Sequence, residues 1–197
     1  MKQPVSLVML GIVTMLVTAC DPSAPLPKPT VPTDVRASSH AVGGHAGGHA
    51  AVADESINRQ LDELRRLVAP FHNFDKAVEF GYDIPAPAPG VCISDPVRGG
   101  MGFHYTSSRK DLINDGEVNL LEPEFLVYSP KPNGGVKFSA LDYFVPYATW
   151  PHADPPSLLG IPFAREDAFQ AYVLHIWLFW HNPAGLFENY NPAVPLC

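Results

Sequence analysis

Four residues with metal-ligating or acid/base side chains stand inside otherwise apolar, strand-like stretches: His104 in "GFHY", Glu124 in "EFLVY", Asp142 in "SALDYFV" and His175 in "AYVLHIWLFW". A polar ring or carboxylate in such a setting needs a partner, because a buried unpaired polar group costs about 1 to 3 kcal/mol. If the four strands are neighbours in one sheet, the two imidazoles and two carboxylates converge on one face. That donor set suits Zn²⁺, Fe²⁺ or Mn²⁺. The alternative is structural: Glu124 and Asp142 accept hydrogen bonds from histidine rings or loop amides, as buried polar groups usually do. In the structural alternative His181 caps the turn into "NPAG"; at the strand end beside a loop, it reads equally as a surface residue or a ligand.

The elements that must position these residues follow from hydrophobic period. Ile57, Leu61, Leu64, Val68 and Phe71 recur at helical spacing, with Arg59, Asp62, Glu63, Arg65 and Arg66 on the other face. This predicts a helix starting at an Asp54 cap and stopping at Pro70. A second short helix is expected over 75–80, ended by Gly81. From Gly90 onward the period becomes that of strands. "GGMGFHYTS" is one, and "EFLVYSP" and "VKFSALDYFVPY" form a hairpin across "KPNGG". The last is "AYVLHIWLFW", with Tyr172, Leu174, Ile176, Leu178 and Trp180 on one face and Val173, His175, Trp177, Phe179 and His181 on the other. Both faces are apolar, so this strand should be central and covered twice. The tail "HNPAGLFENYNPAVPLC" is expected as an ordered loop anchored by Leu186, Phe187 and Tyr190. The fold class is α+β: a mainly antiparallel sheet with an N-terminal helical cover and long Pro-rich loops.

The N-terminus speaks to location. "MKQPVSLVMLGIVTMLVTAC" carries Lys2, an apolar run from Val5 to Val17, and small residues before a cysteine. The ending Val17-Thr18-Ala19-Cys20 resembles the bacterial lipobox. That resemblance implies a signal peptide over 1–19, lipidation of Cys20, and a lipid bilayer as partner, with the protein held in the cell envelope on the periplasmic or outer face of a membrane. The apolar run falls short of the roughly 20 residues of a spanning helix, and several acyl chains would anchor the protein stably. Residues 20–53 then form a tether, extended where prolines cluster from Pro22 to Pro32 and flexible through Gly43 to Gly48. It places His40, His45 and His49 on a pliable backbone, either as a low-complexity spacer or as an accessory tail for Zn²⁺, Cu²⁺ or Ni²⁺. Residues 54–197 are left as a single globular domain.

With Cys20 lipidated, Cys92 and Cys197 are the remaining thiols of the three, and an exported chain favours their pairing. The net charge of −7 gives no electrostatic footprint for nucleic acid and argues against anionic partners. No G-x-S-x-G elbow, H-E-x-x-H, C-x-x-C or phosphate loop is present. Glu122 and Glu124, separated by Pro123, read as a loop-to-strand junction rather than a glycosidase pair.

The blocks "GGMGFHY", "EPEFLVY", "LDYFVPY", "PPSLLGIPF" and "LHIWLFWHNPAGLFENYNP" together resemble an uncharacterised group of exported bacterial proteins, over residues 55 to 197. The resemblance implies a single exported domain and no mechanism. Three readings stay open: a lipid-anchored protein that binds a divalent transition metal (Zn, Fe, Mn or Cu) or a small ligand, a metal-dependent envelope enzyme using the same residues, and an interaction module presenting Trp150, Trp177, Trp180 and Tyr190.

Overall fold

The computed structural model describes residues 48–197, with side chains from Asp54 onward. The expected signal peptide over 1–19, Cys20, His40, His45 and the tether up to residue 47 lie outside the described residues. Helix α1 spans Gly48–Val68. It therefore begins before Asp54, which is an interior helical residue and not the expected cap. The preceding Ala50, Ala51 and Ala53 explain the extension, since alanine is the best helix former. His49 lies on this helix by backbone, so the tether expected through residue 53 ends sooner than its composition suggested.

Leu61, Leu64 and Val68 form the buried stripe of α1. The α-helical bonding ends at Val68, and a single 3-10 turn, Ala69–His72, carries the chain through Pro70. Phe71 on that turn packs against Phe80, Tyr82 and Phe138. Helix α2, Phe74–Phe80, starts where the Asn73 side chain accepts from Asp75 N at 3.0 Å. It ends at Gly81, whose φ of 118° is a conformation that favours glycine.

The strands are β1 (Tyr82–Ala86), β2 (Ile93–Asp95), β3 (Gly99–Ser107), β4 (Phe125–Pro130), β5 (Val136–Pro146), β6 (Ser157–Leu158), β7 (Ile161–Pro162), β8 (Ala164–Glu166) and β9 (Ala171–Ile176). Seven of them form one sheet in the order β1-β3-β4-β5-β9-β8, with β2 also on β3, while β6 and β7 make a separate hairpin. Every pairing is antiparallel. With two helices preceding the sheet, the fold class is α+β. Among the described residues, no helix is long and apolar enough to cross a membrane.

The sheet has two buried faces, as its register dictates. Leu126 pairs with Leu141 and Leu141 with Ile176; these side chains share a cluster with Leu61, Leu64 and Val68 of α1. On the other face Val127, Ala140 and Trp177 pack with Val194 of the C-terminal tail. Glycine is required in β3 for this arrangement. A Cβ on Gly102, at φ 121°, would run into the Tyr128 carbonyl of the neighbouring strand.

The last strand is shorter than its apolar run. Pairing stops at Ile176, after which Trp177 N donates to Leu186 O, Leu178 N to Ile176 O, and Phe179 N to Ser139 O. The alternation predicted over 171–180 fails there: Leu178 and its neighbour Phe179 both pack on the helix-side cluster. An apolar run cannot distinguish a continuing strand from a turn whose side chains are buried.

The tail is pinned as expected. Trp177 Nε1 donates to Glu188 O at 2.6 Å, and Asn191 bridges Gly100 backbone to backbone. Cys92 and Cys197 are bonded, with Cα atoms 5.7 Å apart and a sequence separation of 105. Cys197 N also donates to Ser94 Oγ at 3.3 Å. In the chain-entropy model, a bridge closing a loop of this length is worth about 4 to 5 kcal/mol. A Cys92→Ser, Cys197→Ser variant should lose stability of that order in urea unfolding. Alkylation and mass analysis of the parent without reductant should find neither thiol free.

Candidate metal centre

Three adjacent strand ladders bring His104, Asp142 and His175 together. Asp142 of β5 stands directly opposite His175 of β9, and Phe125 of β4 lies on the other side of Asp142 in the same row. His104 of β3 pairs with Val127, one diagonal step away. Cross-strand partners share a face, and diagonal neighbours remain within reach of long side chains. The outcome is a cluster in which one donor atom from each residue lies within 4.8 Å of the others.

The two imidazole Nε2 atoms are 3.4 Å apart, and His104 Nε2 is 3.6 Å from Asp142 Oδ2. His175 Nδ1 is 3.4 Å from Asp142 Oδ1. All three residues are at least 95 % buried. Zn–N bonds of about 2.0 to 2.1 Å would place tetrahedral ligand atoms about 3.3 Å apart. A single ring nitrogen of His175 must serve both neighbours, and with one donor atom per residue the set spans up to 4.8 Å, so closing on a cation draws the side chains together by up to about 1.5 Å.

Hydrogen bonding sets these residues apart from the buried serines and asparagines. Ser129 donates to Met101 O, Ser139 to Val127 O, and the amides of Asn182 and Asn191 are bonded at both ends within the tail. By contrast His104 Nδ1, Asp142 Oδ1 and His175 Nδ1 are buried without a hydrogen-bond partner. The Asp142 carboxylate nonetheless lies between the two rings that the structural alternative named as its partners, at 3.6 Å from His104 Nε2 and 3.4 Å from His175 Nδ1.

Electrostatics follow from the same burial. Loss of water pushes the His104 imidazole down to about 4, and it holds His175 well below and Asp142 well above their ordinary ranges. Without a cation, the low-dielectric setting favours neutral forms of all three. A divalent ion would reverse that preference for Asp142 and accept a lone pair from one nitrogen of each imidazole.

Glu124 is not in this cluster. Phe125 faces Asp142, so the preceding residue points to the opposite, helix-side face, next to Tyr143. Its Oε2 accepts from Phe144 N at 3.1 Å. It thus takes the structural role weighed for it, a carboxyl satisfied by a backbone amide. Burial raises its pKa to about 8. His181 is exposed, and its backbone carbonyl accepts from Asn191 Nδ2 at 3.2 Å. His49 has no described side chain, so the accessory tail of His40, His45 and His49 stands apart from this geometry. Trp177 is buried and stacks 6.1 Å from His175, which removes it from any exposed binding face.

Sequence reasoning missed the surroundings of the trio. A cavity of about 220 Å³ opens over it, walled by Met101, Phe125, Phe144, Phe169 and Val173. Phe125 meets the His104 ring edge-on at 5.8 Å and Phe144 at 5.6 Å. Alternation alone offered a signal, since Phe125 and Phe144 share the Asp142 face by parity once the β4–β5 register is known.

Glu124 generates a pH prediction. A carboxyl protonated up to about pH 8 when folded, against an ordinary value of 4.5, binds more protons in the native state throughout that window. Stability should therefore fall as pH rises from 5 to 8, by up to about 1.4 kcal/mol per pH unit from this group. Glu124→Gln should lack that component, so urea unfolding at pH 5 and pH 8 should give the variant the shallower slope. In comparisons with known proteins, the chain matches no protein-family model, no curated protein and no solved structure, and the site has to be read from its own geometry.

Proposed function

We propose that this chain is a membrane-anchored bacterial lipoprotein whose folded domain binds a divalent transition metal in the cell envelope through His104, Asp142 and His175. The observation that carries the reading is the convergence, from three separate strands, of one buried donor atom each of His104, Asp142 and His175 to within 4.8 Å of one another. Three protein ligands leave coordination positions free, and the overlying cavity gives those positions access to a second molecule. Two imidazoles and one carboxylate suit Zn²⁺, Fe²⁺ or Mn²⁺, and the imidazoles also admit Cu²⁺.

A metal-dependent enzyme is the second reading. It is favoured by the same open positions beneath a cavity, the arrangement in which a metal activates water or polarises a bound carbonyl. The other carboxyl lining the cavity, Glu166, is 3.9 Å from the Arg98 guanidinium, and Glu124 faces the other way. Binding is therefore the simpler claim. Anchoring rests on the lipobox resemblance at Cys20 and on the disulfide, which fits an oxidising compartment.

Elemental analysis of the mature chain, purified without a histidine tag and with His40, His45 and His49 replaced by alanine, should find one equivalent of transition metal. Adding His104→Ala and His175→Ala should lower the content at least tenfold while the circular dichroism stays native. Unchanged metal content in that folded variant would sink the assignment. Separately, growth of the host with radiolabelled palmitate should label the chain and leave its Cys20→Ala variant unlabelled. An unlabelled parent chain would contradict the lipid anchor.

A further inference from the structure

The cavity above the trio has a composition that restricts what it can admit. Its walls are Met101, Ile113, Phe125, Phe144, Phe169 and Val173, and its polar floor is the His104, Asp142 and His175 cluster. None of the residues lining it is Lys or Arg, and its other acid, Glu166, is held 3.9 Å from the Arg98 guanidinium. A volume of about 220 Å³ lies below the range of about 300 to 1,000 Å³ found for drug-sized ligands. It exceeds the roughly 150 Å³ of an apolar cavity that holds benzene. The space fits one ring with one short substituent.

We infer that the metal-loaded site takes a small monocyclic, largely apolar ligand or substrate carrying a single oxygen-donor head, with the ring against the cavity walls formed by Phe125, Phe144 and Phe169 and the oxygen on the metal; this rests on the metal reading above. Shape and wall chemistry select the ring. Aromatic edges and faces at Phe125 and Phe144, already set 5.6 Å apart at a steep angle, give an aromatic guest the edge-to-face contacts that such rings prefer. The thioether of Met101 adds a polarizable contact of the same kind.

Local charge selects the head. A divalent cation with the Asp142 carboxylate leaves a net single positive charge in an enclosed apolar space, and a monoanionic oxygen such as a carboxylate or phenolate neutralises it. The chain's overall charge of −7 acts on anions at its surface. At the floor of the cavity the nearest charges are those of the site, so the metal decides. Without metal the same floor offers an anion no cation and exposes it to a buried carboxyl. The metal thus acts as a switch for an anionic guest and is indifferent to a neutral apolar one.

The test uses the full mature chain and three probes: zinc, benzene and benzoate. Metal content is measured first. Binding of benzene and of benzoate is then followed by ligand-observed NMR and calorimetry, with and without zinc. The expected result is benzene binding in both states and benzoate binding at least tenfold tighter in the zinc-loaded chain. Phe169 is 43 % exposed at the mouth, so Phe169→Glu should fold and keep its zinc while weakening benzoate at least tenfold, and Phe169→Leu should retain binding. Zinc bound with benzoate absent, or benzoate bound equally without zinc, would overturn the inference and leave the metal reading intact. A chain that holds no zinc overturns the metal reading and this inference with it, and is recognised before any probe is added.

Discussion

The pairing of Asp142 with His175 across β5 and β9 is the contact on which the rest of the site depends. It is a matter of register. In a sheet with period-two side chains, a slip of one residue would send His175 to the helix-side face and bring Leu174 or Ile176 over the cavity. The register is held from the opposite side. Leu141, Tyr143, Leu174 and Ile176 are buried against the helix-side cluster, and each kilocalorie they contribute also fixes the polar residues between them on the other face. The apolar core and the polar trio are two faces of one register choice.

That choice has a local cost that the core must outweigh. Three polar atoms without a well-formed hydrogen bond in a dry environment destabilise the chain, and the groups around them give only partial relief: Phe125 and Phe144 are apolar, while Asn189 of the tail and the Gly102 backbone lie against His175 and His104. The disulfide from Cys92 to Cys197 offsets part of this. It ties the tail, which packs on the same sheet face as the trio through Val194, to the stretch that enters β2. Ile93 of β2 lines the cavity, so the bridge also holds one wall of the site in place. Buried polar groups left open to one another by an otherwise well-packed domain are the pattern that functional sites show and structural cores avoid.

Much of this was legible in the residues and some was not, for physical reasons. "GGMGFHYTS" reads as a strand and is one from end to end, and "KPNGG" reads as the hairpin turn between β4 and β5. The Cys92–Cys197 bond followed from thiol bookkeeping on the expectation that the chain is exported. β1 was missed because "YDIPA" carries a proline, which argues against a strand unless it lies at an edge, where β1 sits. β2 and β8, at three residues each, are too short to show a period. Glu124 shows the limit most clearly. Its strand alternation was evident, but which alternate set faces Asp142 depends on the β4–β5 register, and register comes from the whole sheet rather than from either strand. His104, Asp142 and His175 stood out only as polar interruptions of apolar runs, and their convergence is a property of strand order.

The central claim is that these three side chains are the ligands of one metal ion. X-ray absorption at the zinc edge of the metal-loaded chain, with the tether histidines replaced, reads the donor atoms directly. The account predicts two imidazole nitrogens and carboxylate oxygen at about 2.0 to 2.2 Å, completed by light exogenous donors, with no sulfur. A shell of oxygens without imidazole scattering, or one containing sulfur, would place the ion elsewhere and return the trio to the status of an unsatisfied core.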